Sequence, residues 1–193
     1  PAKVELDLGV SSGEPVDFDL ANGRRVTMRG LIDRVDTTAD GRVIVSDYKS
    51  GRQRKFQKLD DDPFVGGTGL QLGVYSEGAL RHAGASSAEA AYWLVEADDR
   101  SRLGYAWTDG LRDRFFEVLS VIVDGIDAGT FASAPGEWNT FRQTNEECTY
   151  CEFDPVCVRN RGEHAEAKAS APEVQVRLQL EADAGADREA GAS

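Results

Sequence analysis

The chain has 193 residues, 40% of them hydrophobic, which is enough for one domain with a sizeable core and an appendage. No apolar run approaches the roughly 18 residues of a membrane span, and no secretory leader pattern is present, so a cytoplasmic protein with no membrane partner is expected. A net charge of −12, from 22 Lys and Arg against 34 Asp and Glu, argues against the broad basic surface of a nucleic-acid binder.

In chain order, short strand signals come first. Val4, Leu6 and Leu8 alternate with polar neighbours, as do Phe18 and Leu20. Asn22-Gly23 marks a hairpin turn into a long strand, Arg24 to Val35, with Val26, Met28, Gly30 and Ile32 on one face and Thr27, Arg29, Leu31 and Asp33 on the other. A turn at Ala39-Asp40-Gly41 leads to an apolar strand ending in Asp47-Tyr48-Lys49. Helical spacing of Leu72, Tyr75, Ala79 and Leu80 predicts a helix over 69–82, followed by strands Ala90–Val95 and Leu103–Trp107. Thr108 is placed to cap a helix with an apolar stripe of Leu111, Phe115, Leu119, Ile122 and Ile126, ended by Gly129. Strands first, then helix, strand and helix, predict an α/β fold: a mixed β-sheet, an antiparallel meander plus added strands, flanked by helices. From Arg161 onward the chain is Ala- and Glu-rich without an aromatic residue, and reads as a helical appendage over 162–182 and a disordered acidic tail.

Three features could carry chemistry. Asp47 and Lys49 are two apart on a strand, so their side chains leave one face, and Asp33 comes from the neighbouring strand. Two carboxylates on adjacent strands make a hard oxygen site suited to Mg²⁺ or Mn²⁺, beside a lysine able to hold a water or stabilise charge on a phosphate. Taken alone, a D-x-K pattern reads equally as solvated strand-end charge. Gln71 and Tyr75 stand at i and i+4 on one helical face, either aimed at the same site or as a core tyrosine beside an exposed amide. The segment Lys49–Lys58 carries five positive charges and no negative one; Arg52, Arg54, Lys55 and Lys58 could touch a phosphate backbone or line a solvated loop. The only cysteines, Cys148, Cys151 and Cys157, form C-x2-C-x5-C, too few and too close for a disulfide framework and better suited to a metal or cluster in a reducing compartment.

The segments Gly30-Leu-Ile-Asp-Arg-Val-Asp36, Val45-Ser-Asp-Tyr-Lys-Ser-Gly51 and Gln71-Leu-Gly-Val-Tyr75, in that order, resemble the nuclease domain of RecB-family and AddB-type exonucleases in the PD-(D/E)XK nuclease superfamily. The resemblance implies a restriction-endonuclease-like core over residues 1–160. It implies a metal-dependent deoxyribonuclease of recombination and repair, acting on DNA and partnered by a helicase subunit or domain. It also implies that Asp33 and Asp47 bind Mg²⁺ or Mn²⁺, that Lys49 assists the attacking water, and that Gln71 and Tyr75 support the site. The cysteine motif resembles the iron–sulfur motif of AddB-type and CRISPR-adaptation nucleases, implying a [4Fe–4S] cluster in the complete protein; a Cys₃His zinc site using His164 is the competing assignment. The family places a fourth cysteine, and a helix bearing a His or Glu, before the first strand. Neither has a counterpart here, so a segment preceding Pro1 is expected to supply them. The alternative function is a nuclease-fold module that binds DNA or a helicase partner without cutting, and a weaker one is a zinc-stabilised adaptor.

Overall fold

The computed structural model describes residues 3–21, 23–50, 56, 58–95, 101–131, 133–172, 174–176, 178 and 180. Arg52, Arg54 and Lys55 of the basic segment, Asn22 of the expected turn and the tail beyond Leu180 lie outside the described residues. The chain divides into two compact units, one running to Ile122 and the other spanning Val123–Leu180.

The first unit is built on a five-stranded sheet in the order β1-β4-β5-β6-β7, comprising β1 (Lys3–Leu8), β4 (Gly30–Thr37), β5 (Val43–Lys49), β6 (Ala88–Leu94) and β7 (Arg102–Trp107). The pairs β1–β4, β4–β5 and β6–β7 are antiparallel, whereas β5–β6 is parallel. A parallel pair needs a crossover, and here it contains α1 (Lys58–Asp61) and α2 (Gln71–Ala83). This is the mixed α/β sheet expected from the sequence. Val43, Val45, Asp47 and Lys49 of β5 pair with Ala88, Ala90, Tyr92 and Leu94 of β6, so one face of both strands points to the same layer. That face is buried from Val43 through Asp47 on β5 and at all four of those β6 positions.

The expected single strand Arg24–Val35 is instead two strands in different sheets, interrupted at Arg29. β3 (Arg25–Met28) pairs with β2 (Val16–Asp19) as a separate hairpin, and β4 then joins the main sheet. Gly30, directly after the break, is the one local mark of it, since a glycine inside a strand pattern tolerates a bend; propensity itself is blind to which strand lies alongside.

α3 (Asp109–Asp127) follows β7, and Thr108 Oγ1 accepts a hydrogen bond from Leu111 N at 3.2 Å, the cap that the sequence places there. Phe115, Val118 and Leu119 are its buried residues, while Ile126 of the expected stripe is exposed. The Phe115 ring lies 5.4 Å from Phe18, 5.6 Å from Phe64 and 5.6 Å from Trp107 between centroids, tying α3 to the hairpin, the crossover and the sheet. α2 lets this ring in close at Gly73, where a Cβ would stand 2.7 Å from Phe115 Cδ2.

The second unit holds a small hairpin of β8 (Trp138–Asn139) and β9 (Thr144–Asn145), two 3₁₀ turns at Glu146–Cys148 and Asp154–Val156, and α4 (Arg161–Ala167). Buried Asn145 ties the hairpin back by donating from Nδ2 to the Gly136 carbonyl at 2.9 Å. Arg161 Nη1 donates to Asp154 Oδ1 at 2.6 Å, anchoring α4 to the second turn.

Candidate active site

The site grows from a change of facing in β4. Leu8 touches Gly78 and Gly30 touches Tyr75, so the paired residues Leu8–Gly30 and Leu6–Ile32 face α2. Val35 pairs with Val45 on the face that carries Asp47, and Gln71 of α2 reaches Asp47, so Val35 faces α2 as well. Ile32 and Val35 are 0% and 2% exposed, yet residues three apart cannot share a face under strict alternation. The alternation therefore breaks between them. The β1–β4 register shows where: Arg34 pairs with Val4 and Ile32 with Leu6, while no pair forms at Asp33 and Glu5. Glu5 has φ +51°, the left-handed region that L side chains rarely adopt.

This kink brings Asp33 to the side of the sheet where Asp47 lies. Asp33 Oδ2 accepts the backbone N–H of Tyr48 at 2.7 Å, fixing the carboxylate against the next strand. Asp47 is 3% exposed. Its Oδ1 accepts from Gln71 Nε2 at 3.2 Å, and its Oδ2 lies 2.6 Å from Lys49 Nζ without receiving a well-directed hydrogen bond. The same Gln71 amide lies 3.1 Å from Tyr75 Oη, so the i and i+4 residues of α2 act on one point. Asp33, Asp47, Lys49, Gln71 and Tyr75, drawn from β4, β5 and α2, are thus brought together.

Burial pushes the Asp47 carboxyl above the usual carboxylate range; the adjacent Lys49 ammonium opposes this, and the Asp33 charge adds to it. A desolvated carboxylate with an under-satisfied oxygen and a second carboxylate beside it is a donor set that fits a hard divalent cation. Among the described residues no third His, Cys, Asp or Glu joins them.

The remaining residues of the first motif have another job. Arg34 Nε and Nη2 bond Asp36 Oδ2 and Oδ1 at 2.7 and 3.0 Å, a bidentate fork that braces the strand. Lys58 stands exposed at the start of α1.

Two neighbours escaped the sequence reading. Tyr92 of β6 pairs directly with Asp47, and Lys49 Nζ stands 5.1 Å from its ring centroid. Burial, then the charge of Asp47, raises the Tyr92 phenol to about 12. Glu77 of α2 is buried and accepts from Trp107 Nε1 at 2.9 Å and from Arg112 Nε and Nη2 at 2.6 and 3.2 Å. A parallel-strand neighbour and a buried acid on an all-buried helix turn leave no local pattern to read.

In the second unit Cys148 and Cys151 are half-buried, Cys157 is exposed, and all three are free thiols. Cys151 N donates to the Cys148 carbonyl at 3.2 Å, closing a tight turn between the first two. Among the described residues no three metal-ligating side chains gather at one point, so the cysteines are not drawn into a ready-made site.

Comparison with known proteins adds sequence kinship to this geometry. Residues 1–158 match the model of the PD-(D/E)XK nuclease superfamily. An ATP-dependent helicase/deoxyribonuclease subunit of Symbiobacterium thermophilum is 46% identical over 81 residues, 39% of this chain and 7% of that protein. The protein of the same name from Streptococcus equi subsp. zooepidemicus is 41% identical over 58 residues, 30% of this chain and 5% of its own length. The matched stretches are therefore small parts of far longer relatives. Among solved structures, that of SSO0001 covers 80% of this chain and 59% of its own at 13% identity and a TM-score of 0.41.

Proposed function

We propose a function from one premise: the chain belongs to the PD-(D/E)XK nuclease superfamily. On that premise, it is a metal-dependent deoxyribonuclease that hydrolyses phosphodiester bonds at DNA ends in recombination and repair, working with a helicase subunit or domain. The observation that carries the reading is the convergence of Asp33, Asp47, Lys49 and Gln71 on one half-buried point. Asp33 and Asp47 would hold a Mg²⁺ or Mn²⁺ ion, which when bound polarises a phosphate oxygen and acidifies an attacking water. Gln71 holds Asp47 by its Oδ1 and leaves Oδ2 to the site. Lys49 brings a positive charge to the same oxygen, where it can orient a water or offset charge building on the phosphate. Tyr75 seats the Gln71 amide from below, in space left by Gly30, where a Cβ would stand 2.7 Å from the Tyr75 ring.

The DNA contacts assigned to Arg52, Arg54, Lys55 and Lys58 rest on the charge of that segment, which follows Lys49 directly in the sequence. The test is cleavage of linear DNA in Mg²⁺. EDTA removes the activity and Mg²⁺ or Mn²⁺ restores it, while Lys49→Ala lowers kcat by about 10²-fold through loss of one charge-stabilising group. Lys49→Ala at the parent rate refutes the role of the site; a parent protein that binds DNA but never cuts it favours the binding-module alternative.

For the second unit the proposal goes as far as its donors. Three thiolates supply three of the four ligands of a [4Fe–4S] cluster, or hold Zn²⁺ with His164 as the fourth ligand. Full-length protein purified without oxygen is expected to be brown, with iron and sulfide at four per chain; equimolar zinc without iron assigns the zinc site instead.

A further inference from the structure

Lys49 carries its charge on a flexible four-carbon stem at the last position of β5. Its one close charged contact among those described is Asp47 Oδ2, the oxygen that a divalent ion would also use. The ammonium also stands over the face of Tyr92, with Nζ 5.1 Å from the ring centroid. That ring is well fixed. It sits on the parallel partner strand in register with Asp47, it is buried, and Phe56 packs against it at 5.2 Å between centroids. An aromatic face attracts an ammonium through its quadrupole, an attraction that strengthens where water is excluded.

We infer that Tyr92 is the positioning residue for Lys49: its ring face holds the ammonium at the carboxylate site when Asp47 is shared with a cation. The inference rests on the nuclease reading above and adds to it a residue outside the three motifs. It requires the aromatic face and not the hydroxyl. Tyr92→Phe therefore keeps the function, whereas Tyr92→Leu loses it.

Because a leucine there could disturb packing, the decisive series keeps the shape. Position 92 is filled with phenylalanine and then with mono-, di- and trifluorinated phenylalanine, which drain the ring quadrupole step by step. Tyr92→Phe is expected within about twofold of the parent, and kcat then falls progressively by about 3- to 30-fold at three fluorines, with KM for DNA unchanged. A kcat indifferent to fluorination, or Tyr92→Phe as impaired as Tyr92→Leu, overturns the inference. A second readout needs no catalysis. In metal-free protein carrying ¹³Cε-lysine, the Lys49 ε-methylene signal is expected upfield from the ring current in the parent and in Tyr92→Phe, and at its ordinary position in Tyr92→Leu. If the parent does not cleave DNA with Mg²⁺, the nuclease reading fails, and this shift alone decides the contact: its presence upholds the placement of Lys49 on the ring, its absence refutes it.

Discussion

Asp47→Asn is expected to abolish Mg²⁺-dependent cleavage, by about 10³-fold or more, because it removes the buried charge on which a cation would sit. The substitution keeps the size and the Gln71 contact at Oδ1, so the loss is one of charge and not of shape. Stability separates the two. Burial disfavours the charged form of Asp47 in the folded protein, so the neutral amide lifts a penalty that the parent bears at neutral pH. Metal-free Asp47→Asn should therefore melt no lower than the parent by calorimetry. Addition of Mg²⁺ should raise the melting temperature of the parent alone. A variant that cuts DNA at the parent rate would mean that the chemistry lies elsewhere.

The largest effect on stability is expected at Glu77. This acid joins three elements: Trp107 of β7 and Arg112 of α3 both donate to it, and Arg81 Nη2 stands 3.6 Å from Oε2. Glu77→Ala leaves a buried indole N–H and a guanidinium without their acceptor. The expected cost is about 2–4 kcal/mol, below that of a wholly buried pair because Arg112 is 45% exposed and so is screened by solvent. Urea unfolding of the folded unit measures it, and a change under about 0.5 kcal/mol would place the clamp among ordinary surface pairs. The acid has a pH signature too. Burial raises its pKa, but the hydrogen bonds from Arg112 and Trp107 and the nearby charges outweigh burial, so it lies below the ordinary 4.5. The pair's stabilisation is then complete above about pH 4.5 and is lost as pH falls through the depressed folded value. Glu77→Gln retains an acceptor for Trp107 and should lack this acid step.

The parts of this molecule that repeat locally were open to reading. β5 announces itself as an apolar β-branched run, Thr108 as a cap and Gln71–Tyr75 as one helical face, because each depends on neighbours within a few residues. The three motifs also arrive in the order that their fold requires. The parts that depend on a distant strand were not. The break at Arg29, the reversal of facing at Asp33 and the register of Tyr92 against Asp47 are all settled by which strand lies alongside. Strict alternation puts Ile32 and Asp33 on opposite faces, yet the alternation of β4 breaks between them, across from the left-handed Glu5 of β1. The net charge is coarse for a similar reason: it sums over the whole chain and hides the five positive charges gathered in the ten residues Lys49–Lys58.

The mixture of hairpin and crossover in this sheet also sets a timetable. β4 and β5 are joined by a short turn in which Gly41 N bonds the Thr38 carbonyl at 3.0 Å, so Asp33, Asp47 and Lys49 can come together through a local event early in folding. Gln71, Tyr75 and Tyr92 arrive only when the crossover through α2 closes and β6 aligns along β5, a long-range pairing of the slow kind. The carboxylates thus assemble first and the groups that hold Asp47 and Lys49 in place assemble last. During refolding, competence at this site should lag behind hairpin formation and coincide with completion of the sheet.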